Sequence, residues 1–203
     1  MTKSSRNAIA AVSAALFCIA STPAARAELG FSLYGSYWEP DDTSDAGGGG
    51  IELLFPISPR WDVDLRASYF EELDAEPLDQ LGDAESPFQE HGLEVLPLEL
   101  GLRFAFAPDA AVRPYIGGGA GYYVLDSDFG VVDDEAGWYG ILGLGFGNRE
   151  GASFFVEAQY RKMEATVEED PSDPFDFEGF DEGVALDLDG VGFNAGVTWR
   201  FGR

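Results

Sequence analysis

From Leu29 to Phe201 the chain alternates apolar and polar residues with a period of two, and no segment sustains a period of 3.6. Period two marks a β-strand whose two faces meet different surroundings. Eight stretches carry it: roughly Leu29–Trp38, Gly47–Ile57, Arg60–Glu71, Leu93–Ala107, Val112–Asp126, Gly137–Asn148, Ala152–Ala165 and Gly183–Phe201. A short helical turn is expected near Pro77–Leu81. One face is apolar from end to end, as in Trp61, Val63, Leu65, Ala67 and Tyr69, or Leu96, Leu98, Leu100, Leu102, Phe104 and Phe106.

The opposite face carries charges of both signs: Glu52, Asp62, Asp64, Arg66, Glu99, Arg103, Arg113, Glu157, Arg161 and Arg200; all of these but Arg113 are expected to form a charge network in the lumen. Small residues lie among them, including Gly117, Gly119, Gly121, Gly143, Gly145, Gly192 and Gly196, and there is no lysine. In a soluble barrel or sandwich this face would meet water. Water-facing strands are usually rich in Lys, Thr and Glu, and glycine is depleted in strands. In a membrane barrel the arrangement inverts, with the apolar face in lipid and the polar face filling the lumen. A narrow lumen favours small residues and charges that neutralise one another. The residues fit this second reading: an all-β, eight-stranded antiparallel up-and-down transmembrane β-barrel.

Aromatic residues gather at the strand ends. Tyr37, Trp38, Tyr69, Tyr122, Tyr123, Trp138 and Tyr160 form one set, and Phe55, Trp61, Phe104, Phe106, Phe146, Trp199 and Phe201 the other. Two such belts suit the two lipid–water interfaces. Connectors alternate as well. Pro56–Arg60, Ala107–Pro114 and Gly147–Gly151 are tight, while Glu39–Gly47, Glu71–Gly92, Asp126–Ala136 and Glu164–Gly183 are longer and mostly acidic. Outer-membrane barrels have short periplasmic turns and long outer loops, so both ends of the barrel are placed in the periplasm.

Residues 1–27 read as an export signal. Lys3 and Arg6 precede a 13-residue apolar stretch, Ala8–Ala20, and Ala25-Arg26-Ala27 gives the small-x-small pattern of a cleavage site. Cleavage before Glu28 would leave residues 28–203 as the barrel domain, without cysteine, since Cys18 is the single one. It would also move the net charge from −25 to −28. Such a chain repels nucleic acid, which needs clustered cations to bind.

The chain resembles the OmpA-like/OmpX-like eight-stranded outer-membrane β-barrels. The resemblance is carried by Arg113–Tyr123, Leu142–Gly147 and Phe154–Arg161, and it spans residues 28–203. The C-terminal run also resembles the family's assembly signal, with Asn194, Gly196, Trp199 and Phe201 at the positions read by the barrel-assembly machinery. Here Gly202 and Arg203 follow the final aromatic. The resemblance implies location in the bacterial outer membrane, among its lipids and lipopolysaccharide.

Catalytic chemistry is sparse. The one histidine, His91, closes an acidic loop with Ser86 five residues before it, and no motif of a lipid-modifying barrel surrounds the pair. Neither Asp173–Gly179 nor Asp187–Gly190 has the spacing of an EF-hand. Gly117–Gly121 lacks the strand-to-helix context of a phosphate loop. No catalytic, cofactor or metal residue is assigned, and the acidic loops are left with weak divalent-cation bridging to lipopolysaccharide. Three roles remain. The first, preferred on the sequence, is a structural or surface-interaction barrel closed by charged pairs. The second is a narrow channel for small hydrophobic solutes, resembling OmpW-like barrels. The third is a lipid-modifying enzyme.

Overall fold

Inverted amphipathicity becomes the wall of a closed barrel. The computed structural model describes residues 29–41, 43–74, 92–127, 131–132, 135–147, 151–168 and 184–201. Its strands are β1 (Leu29–Pro40), β2 (Ala46–Pro56), β3 (Trp61–Asp74), β4 (Gly92–Ala105), β5 (Val112–Ser127), β6 (Val131–Val132), β7 (Glu135–Phe146), β8 (Gly151–Lys162), β9 (Glu164–Glu168), β10 (Val184–Asp187) and β11 (Gly190–Phe201). Eight of them close in the order β1-β11-β8-β7-β5-β4-β3-β2. Every neighbouring pair is antiparallel, and β1 meets β11 from Leu29↔Phe201 to Pro40↔Gly190, which leaves no edge. The barrel is therefore an eight-stranded, up-and-down one.

Exposure follows the alternation with its sign reversed from a soluble protein. Leu33, Leu100, Leu142, Phe154 and Phe193 lie on the outside and are exposed, while Ser32, Glu52, Arg66, Glu99 and Arg161 are buried within. A continuous apolar band of this extent is a lipid-facing surface. No helix among the described residues is long and apolar enough to cross a membrane; the crossing is made by strands.

Three features differ from the sequence-based expectation. The seventh and eighth stretches are each broken, at Met163 and at Leu188–Asp189, and β9 and β10 join β6 in a separate three-stranded sheet. The two breaks face each other. The Leu188 amide donates to the Met163 carbonyl at 3.2 Å, and the Met163 amide donates to Asp189 Oδ1 at 2.9 Å. The β1–β2 connection is also short, with only Asp41–Asp45 between the strands. Trp38 and Tyr123 leave the lipid belt, because both point inward and are fully buried. Their neighbours Tyr37 and Tyr122 keep the outward positions. The proposed helical turn at Pro77–Leu81, His91, Ser86 and most of the acidic loop residues lie outside the described residues.

Candidate functional site in the lumen

The lumen is layered. At mid-height sits a plug of ion pairs. Arg66, fully buried on β3, lies 3.3 Å from Glu52 and 3.5 Å from Asp64, and it also pairs with Glu157 across the barrel. Arg103 on β4 reaches Glu52 at 3.1 Å and Asp62 at 3.9 Å. Arg161 on β8 pairs with Glu99 at 3.0 Å, and Arg200 on β11 with Asp62 at 2.9 Å. Each of these nine charged residues thus meets a partner of opposite sign. Charges taken out of water are tolerated only in such company.

Neutral residues outside the charge network expected from the sequence complete the plug. Gln159 is its hub: its amide nitrogen donates to both oxygens of Glu99 at 2.8 and 2.9 Å. Its amide oxygen accepts from Arg66, Arg161 and Asn194 at 3.3, 3.0 and 2.8 Å. Asn194, expected only as part of an assembly signal, points inward and also donates to Glu157 at 2.8 Å. Tyr115 donates to Glu157 at 2.9 Å, and Ser32 to Glu52 at 2.6 Å. The signal for Gln159 was available, since it sits between Glu157 and Arg161 with the same parity.

Glycines make room for the inner tyrosines. A Cβ at Gly50 would lie 2.5 Å from the Tyr34 ring, and one at Gly143 would overlap the Tyr115 ring. Tyr34 in turn hydrogen-bonds Ser68 at 2.8 Å and carries Arg66 over its face at 5.4 Å. Gly143→Ala is therefore expected to push Tyr115 off Glu157 and to destabilise the barrel by about 1–3 kcal/mol, the usual range for overpacking. Urea unfolding in detergent reads this, with Gly147→Ala unsuitable as a control because its φ is +97°.

Above the plug, toward the long connections, the inward face turns apolar. Trp38, Phe70, Val95, Tyr123, Leu125, Met163 and Leu188 are all buried there. Trp38 and Phe70 pack with ring centroids 5.2 Å apart. The Arg161 guanidinium lies 5.3 Å from each of these rings and joins the two layers. At the rim, Asp189 accepts from Lys162 Nζ at 2.6 Å, from the Met163 amide and from Tyr160 at 3.2 Å. Burial pulls the Asp189 carboxyl upward. The hydrogen bonds from Lys162, Met163 and Tyr160 outweigh that pull and hold it below the ordinary carboxylate range. Such a depressed group adds stability above its unfolded pKa and loses it as the pH falls through the folded value. The rim clasp is accordingly present at neutral pH and is released as the pH falls below the ordinary carboxylate range.

Among the described residues no group of His, Cys, Asp and Glu is arranged to hold a metal ion. A closed barrel with a lipid-facing exterior and an ion-paired interior defines a small integral membrane barrel of the bacterial outer membrane. The chain belongs to the outer membrane protein beta-barrel domain family, whose model matches residues 9–201. That family is one of membrane barrels rather than enzymes. Among solved structures, the outer membrane protein OprG from Pseudomonas aeruginosa is similar at 19% identity and TM-score 0.66, over 87% of this chain and 97% of that one. Neisserial surface protein A matches at 11% identity and TM-score 0.54, over 86% and 97% of the two chains. Outer Membrane Protein W of E. coli matches at 17% identity and TM-score 0.53, over 86% and 98%. No curated protein matches the chain. The likenesses are those of small outer-membrane barrels in general and do not single out the OmpA-like branch.

Proposed function

We propose that this barrel passes small hydrophobic solutes, as the OmpW-like reading implies, rather than serving as a purely structural wall. The observation that carries the proposal is the apolar inward layer above the plug. A purely structural lumen has no need of a hydrophobic mouth over a charged floor. The floor closes the straight path, because an apolar solute gains nothing by displacing paired charges. A solute taken into the layer of Trp38, Phe70 and Leu125 then leaves sideways through the wall into lipid. The run Gly47–Gly50 in β2 supports this route: Gly48 lies under the Phe70 ring, and Gly47 has open space beyond it.

The test is uptake of a small aromatic hydrocarbon, such as naphthalene, by cells whose lipopolysaccharide leaflet limits its entry. Cells with the barrel are expected to take it up faster than cells without it. Phe70→Glu, which puts a charge in the apolar layer, should remove the gain while the protein remains in the outer membrane. Equal uptake with and without the barrel would return the role to a closed structural barrel, whose support is the plug itself.

Residues 1–27 are proposed to act as a signal removed before Glu28, with the barrel oriented so that its short turns face the periplasm. The acidic long loops are proposed to meet lipopolysaccharide, with weak divalent cations between the two. N-terminal sequencing of the outer-membrane protein is expected to begin at Glu28; retention of Met1 would refute cleavage.

A further inference from the structure

One carboxylate of the plug is held differently from the rest. Asp64 is 1% exposed, and among the described residues neither of its oxygens has a hydrogen-bond partner. Its surroundings explain this. Across β2 it faces the buried Leu54, and across β4 the bare backbone of Gly101. Arg66 Nε stands 3.5 Å from Asp64 Oδ1 as an ion pair without a hydrogen bond, while the other edge of that guanidinium turns to Glu52, Glu157 and Gln159. Glu52, by contrast, accepts from Ser32, Arg66 and Arg103. The charges do not balance around Asp64 either. Glu99 pairs with Arg161 and Asp62 with Arg200, one for one. Glu52, Asp64 and Glu157 are left to share Arg66 and Arg103, with one negative charge in excess. Arg113 shares the inward parity but lies at the exposed short-turn mouth, where it reaches the Gly147 carbonyl.

A second polar atom stands beside Asp64. Tyr139 on β7 is 2% exposed, and its hydroxyl has no hydrogen-bond partner among the described residues. A Cβ at Gly101 would lie 2.5 Å from that hydroxyl, which takes the place of the side chain Gly101 lacks. Opposed residues of an antiparallel pair hold their Cβ atoms about 5 Å apart, and Gly101 is opposed to Asp64. The phenol oxygen is thereby brought to the carboxylate. A buried polar group without a partner is costly, and a buried charge more so. We propose that Asp64 and Tyr139 bind a monovalent cation, a sodium ion or a proton, which neutralises the plug. Oxygen atoms are the ligands that a hard cation takes. A proton on one Asp64 oxygen makes it a donor, for which the Tyr139 oxygen is an acceptor. A divalent ion would overshoot an excess of one charge.

The test uses the full chain refolded in a neutral detergent at neutral pH. Its urea unfolding midpoint is compared between sodium chloride and choline chloride at constant ionic strength. Its infrared spectrum is searched for the carbonyl band that a protonated carboxyl group has and a carboxylate lacks. A ligand that binds only the folded state raises the midpoint. A bound sodium ion raises it in sodium over choline; a proton leaves it unchanged by that exchange and gives the band. Asp64→Asn, of equal size and uncharged, is expected to unfold no earlier than the wild type in choline chloride and to lose whichever signal the wild type shows. Tyr139→Phe should shrink the sodium effect or move the band. Glu52→Gln, at a carboxylate bonded by Ser32, Arg66 and Arg103, should unfold clearly earlier than the wild type. The two wild-type signals give an answer even if the variants do not refold. Neither signal in the wild type, or an Asp64→Asn midpoint as low as that of Glu52→Gln, would overturn the site.

Discussion

Arg66→Ala is expected to cost the barrel about 3–5 kcal/mol of unfolding stability, the range for removing one member of a buried ion pair. Arg66 is fully buried, pairs with Glu52, Asp64 and Glu157, donates to Gln159 and covers the Tyr34 ring. Its loss leaves three carboxylates facing one another in a lumen that excludes water. Repulsion and desolvation then act in the same direction. Lys162→Ala makes the contrast. Its side chain is 42% exposed, its pair with Asp189 lies at the rim, and the loss should stay within roughly 1 kcal/mol, as for surface pairs. Urea unfolding of the refolded barrels measures both. The intact plug also predicts little or no steady conductance for the wild type in planar bilayers. A large stable conductance, together with a neutral Arg66→Ala, would mean a hydrated lumen and no plug.

The membrane wall was legible in the sequence because lipid and lumen impose opposite demands at every second residue. Along β4, Leu96, Leu98, Leu100 and Leu102 face outward while Glu99 and Arg103 face inward, and a shift by one residue would exchange them. That contrast fails where both faces are apolar. At Tyr37-Trp38 and Tyr122-Tyr123 two aromatic residues stand side by side, so the residue types no longer mark the faces and only the parity carried along the strand, as from Ser32 and Ser36 to Trp38, shows which turns inward. The apolar layer was therefore missed as a layer, and two of its members were assigned to the lipid belt. The charged members of the plug could be chosen by parity, but not their pairings, since Arg66 reaches Glu157 from the far wall. Gln159 was overlooked for a different reason. A neutral amide gives no electrostatic signal, and its importance lies in serving acceptor and donor at once among four neighbours. The breaks at Met163 and Leu188–Asp189 likewise depend on a contact between distant segments.

Trp199→Ala combined with Phe201→Ala is expected to lower the outer-membrane level severalfold, well beyond the effect of Leu53→Ala combined with Phe55→Ala. Both pairs lie on the lipid face at the short-turn end, so truncation removes similar apolar surface from similar surroundings. Phe201 is 57% exposed, and Trp199 stacks on Phe31 with ring centroids 6.2 Å apart. Neither reaches the plug, and side chains bordering lipid give up little folded-state packing when shortened. A loss confined to Trp199 and Phe201 must then arise before the barrel is complete. Their position suits that role: β11 is the last strand, and pairing Leu29 with Phe201 begins the seam that closes the wall. Gly196 adds a steric condition, since a Cβ there would come within 2.9 Å of the Phe155 ring and collide with the facing β1 backbone. The measurement is the amount of each variant in isolated outer membranes, set beside its unfolding midpoint after refolding from urea. Depleted membranes with an unchanged midpoint would assign Trp199 and Phe201 to recognition by the assembly machinery. Equal levels for the two double variants would show that the C-terminal strand is inserted like any other part of the wall.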